Sequence, residues 1–259
     1  MLIDTHCHLD FEEFTQDLDG VVQRALAADV GRMITISTHV HKLDKLLEIA
    51  ETYEQVFCSV GTHPNYAHEE KEKNIKAEDL ICLSKHPKIV ALGEVGLDYY
   101  YDYASPQEQK ESLLEHITAS RETQLPIVIH SRNADTDMEQ ILREQMKEGS
   151  FPFVLHCFSS GIQLARASIA LGGYISFSGI LTFKNASEIR EIAKIIPHKH
   201  LLVETDAPFL APVPYRGKTN EPSFVRHTVA VLAKTIGLSI EETAHITTQN
   251  AFRLFSKMK

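Results

Sequence analysis

Short, almost continuous apolar runs alternate with segments of helical periodicity along this chain. Eight runs rich in Ile, Val and Leu read as strands: Leu2–His8, Met33–Ser37, Val56–Thr62, Ile89–Leu97, Ile127–His130, Phe153–Cys157, Tyr174–Phe177 and Leu201–Asp206. Apolar residues at consecutive positions are the mark of parallel strands covered on both faces. Between the runs, Leu43, Leu46, Leu47 and Ala50 follow i, i+3, i+4, i+7 spacing, as do Ile189, Ile192, Ala193 and Ile196; both predict amphipathic helices. Ser105-Pro106-Gln107-Glu108 predicts a helix start, with Ser as N-cap, Pro at the first helical position and Glu at the third; Ser239-Ile240-Glu241-Glu242 repeats the cap-and-Glu spacing. Eight strands in 259 residues leave about 32 residues per unit. The expectation is an α/β chain, a single-domain (β/α)8 TIM barrel over residues 1–259. A doubly wound open sheet is the runner-up, but Asp4-Thr5-His6-Cys7-His8 stands where its Gly-rich first turn would be.

Polar residues interrupt these runs mainly at their C-terminal ends. His6 and His8 are two apart on a strand, so their side chains share a face, and Asp4 has the same parity. Two imidazoles converging there can bind one metal ion; taken alone, they could also be satisfied core histidines. Glu94 lies inside the apolar run Ala91-Leu92-Gly93-Glu94-Val95-Gly96, where a carboxylate needs a partner. His130, His156 and Asp206 end three further runs. One polar strand end is weak evidence, but in a barrel five such ends converge on one face, where active sites form. His6, His8, Glu94, His130, His156 and Asp206 make six donors, whereas one catalytic zinc takes three protein ligands. Two divalent metal ions sharing a carboxylate are therefore expected. Imidazole with carboxylate admits Zn, Mn, Fe, Co or Mg without choosing among them.

Composition narrows the chemistry. Hydrophobic residues at 43% and charged residues at 24% suit a soluble globular chain. No apolar run approaches the ~18 residues of a membrane span, and no basic-then-apolar leader precedes Leu2, so no membrane partner is expected. The four cysteines are scattered, which argues against a zinc ribbon or a disulfide framework and for a reduced, cytoplasmic protein. A net charge of −9 disfavours a broad basic face gripping duplex DNA. Any polyanionic substrate must be drawn locally, by metal ions or by Arg132, Arg216 and Lys218 just past strand ends, residues that could equally be solvated surface. No G-x-S-x-G elbow, H-E-x-x-H or P-loop is present.

The motifs are together specific. Ile3-Asp4-Thr5-His6-Cys7-His8-Leu9-Asp10, Gly61-Thr62-His63-Pro64, Gly93-Glu94-Val95-Gly96-Leu97-Asp98-Tyr99, Val128-Ile129-His130-Ser131-Arg132, His156-Cys157-Phe158-Ser159, Glu204-Thr205-Asp206-Ala207-Pro208 and Arg216-Gly217-Lys218-Thr219-Asn220-Glu221-Pro222 run in order along the chain. Over its whole length the sequence resembles the TatD family of metal-dependent deoxyribonucleases, among the amidohydrolase-like TIM barrels. Ser160 departs from the pattern, where the family often passes straight from Ser to Gly. The resemblance implies that His6, His8, Glu94 and Asp206 hold one metal, and that Glu94 bridges to a second held with His130 and His156. It implies hydrolysis by metal-activated water, with Asp206 accepting a proton and His63 contacting a phosphate oxygen; a loop-capping role is the plainer option for His63.

Glu204 and Asp98 could orient ligand histidines or join internal ion pairs. Strand alternation turns Cys7 and Cys157 away from the site. Phe177 and Phe183 could stack on a base or simply pack. The implied activity is 3′–5′ exonucleolytic cleavage of DNA, at a single strand or strand end, with no obligate protein partner. An amidohydrolase acting on C–N or ester bonds of a small molecule is the alternative, although such enzymes often carry a modified Lys where Glu94 stands. A non-catalytic barrel used for binding is the third reading.

Overall fold

A run that is apolar on both parities is stable as a strand only when both its faces are covered. The computed structural model describes residues 1–258. Its strands are β1 (Leu2–Cys7), β2 (Val30–Thr35), β3 (Val56–Val60), β4 (Ile89–Asp98), β5 (Ile127–Arg132), β6 (Phe153–Leu155), β7 (Tyr174–Phe177) and β8 (Leu201–Val203). They pair in sequence order, each parallel to the next. Closure comes from a bridge between Cys7 and Ala207. There His8 N donates to Ala207 O at 2.7 Å and Asp206 N to His6 O at 2.9 Å. The result is the expected TIM barrel.

Helices α1 (Leu18–Ala27), α2 (Leu43–Thr52), α3 (Ala77–Leu83), α4 (Pro106–Thr123), α5 (Asp135–Glu148), α6 (Ile162–Ala170), α7 (Ser187–Ile195), α8 (Val225–Ile236) and α9 (Ile240–Leu254) alternate with or follow the strands. The periodic segments at 43–50 and 189–196 fall on α2 and α7, whose apolar stripes are buried. At α4 the Glu108 N–H donates to Ser105 Oγ and the Ser105 N–H donates to the Glu108 carboxylate; Ser239 and Glu242 do the same for α9. Most buried apolar side chains form one continuous core. A smaller cluster packs Ile3, Val90, Val128, Val154 and Leu202 with Phe255 and Met258 from the end of the chain.

Strand ends differ from the sequence reading in a useful way. The sixth and eighth runs, expected to reach Cys157 and Asp206, stop pairing at Leu155 and Val203. Cys157 (φ 42°) and Asp206 (φ 58°) adopt left-handed backbone, which leaves the strand path. His156 and Asp206 therefore sit on turns just beyond the ladder. β4, in contrast, runs one residue further than expected, to Asp98, and β5 two further, to Arg132.

Close backbone approach sets the height of Glu94. A Cβ on Gly61, just past β3, would lie 2.4 Å from Gly93 Cα. Neither partner is a flexible side chain, so the backbones would have to separate. Gly61→Ala should therefore cost about 1–3 kcal/mol, read as a lower denaturation midpoint. An unchanged midpoint would contradict the contact.

Candidate metal centre

At the C-terminal mouth of the barrel a cavity of about 660 Å³ is lined by His8, His63, Glu94, His130, His156 and Asp206. His6 lies directly beneath, fully buried, its ring stacked on that of His156 with centroids 4.0 Å apart. All six expected ligands are thus brought together. Glu94 is only 2% exposed, and its two oxygens face different partners. Oε2 lies 3.4 Å from His6 Nε2 and 4.0 Å from His8 Nε2. Oε1 lies 2.9 Å from His130 Nδ1, 2.7 Å from His156 Nε2 and 3.5 Å from His63 Nε2. Asp206 Oδ1 completes the first side, 3.5 Å from Nε2 of both His6 and His8.

The donor set fits metal cations. His6 Nε2 and His8 Nε2 stand 3.2 Å apart, and His130 Nδ1 and His156 Nε2 stand 3.3 Å apart. Facing ring nitrogens cannot all be satisfied by one another, and buried lone pairs without partners are costly. Converging on a cation, they are satisfied together.

Outer hydrogen bonds select the nitrogen that is left free. His8 Nδ1 lies 3.2 Å from Ile36 O, His130 Nε2 lies 3.1 Å from Asp98 Oδ2, and His156 Nδ1 lies 3.2 Å from Glu204 Oε1. In the neutral ring each of these pairs places the proton on the nitrogen facing the acceptor, so that the other nitrogen would offer its lone pair to a cation in the cavity, and would carry a proton toward Glu94 or Asp206 when no cation is bound. Asp98 and Glu204 therefore orient His130 and His156. Buried Nδ1 of His6 has no partner. Asp4, of the same strand parity, is taken up elsewhere: Thr205 Oγ1 donates to its Oδ2 at 2.6 Å and Thr205 N to its Oδ1 at 2.8 Å, tying β1 to β8. Burial pushes the Asp4 carboxyl up to about 8 despite these bonds.

Burial alone would raise Glu94, but the positive charge on His156 and the hydrogen bonds from His130 and His156 hold it well below the usual carboxylate range. His156 is raised, because Glu94 and Glu204 outweigh its burial. His63 is pushed down to about 3, chiefly by burial, and is a neutral imidazole. Its Nδ1 accepts the Asn65 N–H at 3.1 Å, which leaves the ring proton on Nε2, aimed into the cavity. His63 is close enough to Glu94 and His130 to join a metal group, yet this tautomer makes it a hydrogen-bond donor.

Other expectations need revision. Arg132 lines the cavity, whereas Arg216 and Lys218 do not; the Arg216 guanidinium lies 3.7 Å from the centre of the Phe183 ring. Phe177 is buried in the core. Cys7 is also core, but Cys157 lines the cavity, because its left-handed backbone breaks the alternation that would have turned it away. Phe11, Tyr66, Tyr101 and Phe209 also line the site and had not been singled out. Two of them, Phe11 and Phe209, lie three residues after ligands, a spacing that could have drawn attention to them.

With this geometry established, comparison with known proteins is decisive. The family model for TatD related DNase matches residues 3–256. The chain belongs to the TatD family. A relative in Bacillus subtilis, the uncharacterized metal-dependent hydrolase YabD, is 41% identical over 258 residues, covering 98% of this chain and 99% of the relative. YcfH of Escherichia coli K12, an uncharacterized metal-dependent hydrolase, is 41% identical over 257 residues, covering 98% and 95%. The crystal structure of YjjV, a TatD homologue from the same organism, superposes with a TM-score of 0.90 at 32% identity, covering 98% of both chains. This TatD-family chain is a metal-dependent hydrolase, with a His, Glu and Asp cluster able to hold metal ions. Among the described residues no helix is long and apolar enough to cross a membrane.

Two predictions follow from the buried charges. Protein stripped by a chelator should regain about 2.7 kcal/mol of stability in Mn²⁺ or Zn²⁺ at a hundred times the dissociation constant, read as a rise in melting temperature. His6→Ala should lose most of that rise. Absence of a rise with either ion in the unmodified chain would contradict a metal centre.

The second concerns Glu72, which braces the turn before His63. It accepts from Val40 N at 3.0 Å and His41 N at 3.1 Å, and from Thr62 Oγ1 and the His41 ring. Burial would raise its carboxyl, but these bonds hold it below its ordinary 4.5. Its contribution is therefore complete above pH 4.5 and lost as pH falls through the lower folded-state value. Glu72→Gln should cost about 2–3 kcal/mol near neutrality. The gap from the unmodified protein should narrow below pH 4.5; a gap that stays constant in strong acid would contradict the assignment.

Proposed function

We propose that this protein hydrolyses phosphodiester bonds in DNA, removing nucleotides from the 3′ end of a single strand, with two divalent metal ions held at the barrel mouth. The observation that carries this reading is the divided carboxylate of Glu94, one oxygen toward His6 and His8, the other toward His130 and His156. His6, His8, Glu94 and Asp206 would hold one ion; Glu94, His130 and His156 would hold the other. Bound there, such ions acidify water and neutralise charge developing on a phosphate. The matching family description, TatD related DNase, supports DNA as the ester.

The side chains supply the remainder. Hydrogen bonding from His8 and the charge on His6 and His156 outweigh burial and keep Asp206 below its ordinary range, so it is an ionised carboxylate. It lines the cavity and is placed to accept the proton of an attacking water. His63 donates from Nε2 to a non-bridging phosphate oxygen, a role supported by its Asn65 contact, which leaves the ring proton on that nitrogen. Arg132, with its guanidinium over Tyr100, adds positive charge to the wall.

A labelled single-stranded oligodeoxynucleotide with Mg²⁺ or Mn²⁺ tests the reading. The unmodified protein should shorten it from the 3′ end, and His130→Ala should be slower by on the order of a hundredfold or more. Equal activity in both would sink the proposal. Turnover of dipeptides or lactones with none of DNA would instead assign the centre to C–N or ester bonds of small molecules.

A further inference from the structure

Two exposed aromatic groups face each other across the metal cavity. Tyr101 stands on the segment between β4 and α4, and Phe209 on the segment after β8. In a closed eight-stranded ring running β1 to β8, the β4–β5 sector lies opposite the β8–β1 sector. Both residues line the cavity, yet Tyr101 is 41% and Phe209 48% exposed. Such large apolar surface left in water beside a polar site is a mark of ligand contact. Each ring is also buttressed. Phe209 meets Phe11 edge to face with centroids 5.8 Å apart, and Phe11 stacks on His8 at 4.8 Å. Tyr101 is held edge-on by Tyr100 at 4.9 Å and stacks obliquely on Tyr103 at 5.4 Å, while the Arg132 guanidinium sits 5.0 Å from its centre, and the residue still keeps 41% of its surface exposed.

The cavity also continues beyond the metal ligands. Through Phe11, Thr38 and Tyr66 it joins a depression of about 850 Å³ over the first three strand ends. Through Ser131, Arg132 and Ser159 it joins another of about 570 Å³ beside the start of α5. The outline is a trench, suited to a chain-like ligand longer than one unit. An aromatic face accepts any planar base and needs no net positive charge on the protein.

We propose that Tyr101 and Phe209 determine substrate form, each stacking on an unpaired nucleobase on opposite sides of the scissile phosphate, so that a single strand is held and paired DNA is not. Bases inside a duplex already stack on one another and offer no free face to either ring. The proposal rests on the nuclease reading for the identity of the polymer.

The test uses the full-length, metal-loaded protein. Its probe is a single-stranded oligodeoxynucleotide carrying 2-aminopurine near the 3′ end, with phosphorothioate linkages to slow hydrolysis. Stacking quenches this base, so the unmodified protein should quench it and bind the single strand at least about tenfold more tightly than the same sequence as a duplex. Tyr101→Ala and Phe209→Ala should each weaken single-strand binding on the order of tenfold, relieve the quenching and erode the preference over duplex. Tyr101→Phe should restore all three. On a cleavable strand the loss should fall in KM more than in kcat. The proposal is overturned if both alanine variants bind and quench like the unmodified chain, or if that chain itself does not quench. Quenching that depends on both rings, in a protein that cuts no DNA, would uphold the stacking and remove the nuclease reading. Cleavage with unaltered KM in both variants would do the reverse.

Discussion

A single buried carboxylate constrains this structure more than any other group. Glu94 sits inside an apolar strand with almost no contact with water, where an unpaired charge is strongly disfavoured. Its charge is tolerated because imidazoles from β1, β5 and the turn after β6 surround it. Those partners arrive from three directions, so the carboxylate is satisfied only when the strands hold a common register. The approach of Gly61 to Gly93 belongs to the same constraint, since the strand carrying Glu94 must run close to its neighbour.

Orientation of the histidines comes from the strand pairing itself. Asp98, at the end of β4, meets His130 of the adjacent β5; Ile36, just past β2, offers its carbonyl to His8, just past the adjacent β1. Glu204, just past β8, reaches His156 after β6 and also accepts the Cys157 N–H at 2.8 Å. Asp98 is in turn fixed by Gln109 of α4, whose side chain bonds both its N–H and its carbonyl. The centre is therefore not a set of residues placed on a finished barrel. Pairing of neighbouring strands brings Asp98 and Ile36 to their histidines, and Asp4 with Thr205 locks the seam where β1 meets β8.

Much of this was legible in the sequence, for definite reasons. Parallel strands need apolar residues on both faces, so their ends are sharply marked where His, Glu or Asp breaks the run. That contrast located His6, Glu94 and His130 together with their strands. The helix starts at Ser105 and Ser239 were legible because capping is local chemistry. Legibility failed where backbone left its regular path. Left-handed turns at Cys157 and Asp206 end β6 and β8 early, and one of them swings Cys157 into the cavity against strand parity. The choice between orienting and ion-pairing roles for Asp98 and Glu204 also needed coordinates, because both roles use the same residue types. Phe11 and Phe209 were harder still: an aromatic after a strand end usually packs inward, and only exposure distinguishes one that does not.

If a chain of net charge −9 acts on DNA, as proposed, it must solve an electrostatic problem. A broad basic face is one solution, but it would attract duplex and single strand alike. Under that proposal the attraction would be concentrated at the mouth, where imidazoles and Arg132 line the cavity and the donor set fits divalent cations. At physiological salt such a field reaches only about 8 Å, so it would act on the phosphates nearest the centre and not on the length of a polymer. Holding the rest of a strand would then fall to interactions that do not depend on charge. Exposed rings on opposite sides of the cavity offer that kind of contact, and they offer it only to bases that are not already paired. For a single-strand nuclease an acidic surface and an aromatic mouth would in this sense be complementary, the first discouraging nonspecific association and the second retaining a strand that has entered.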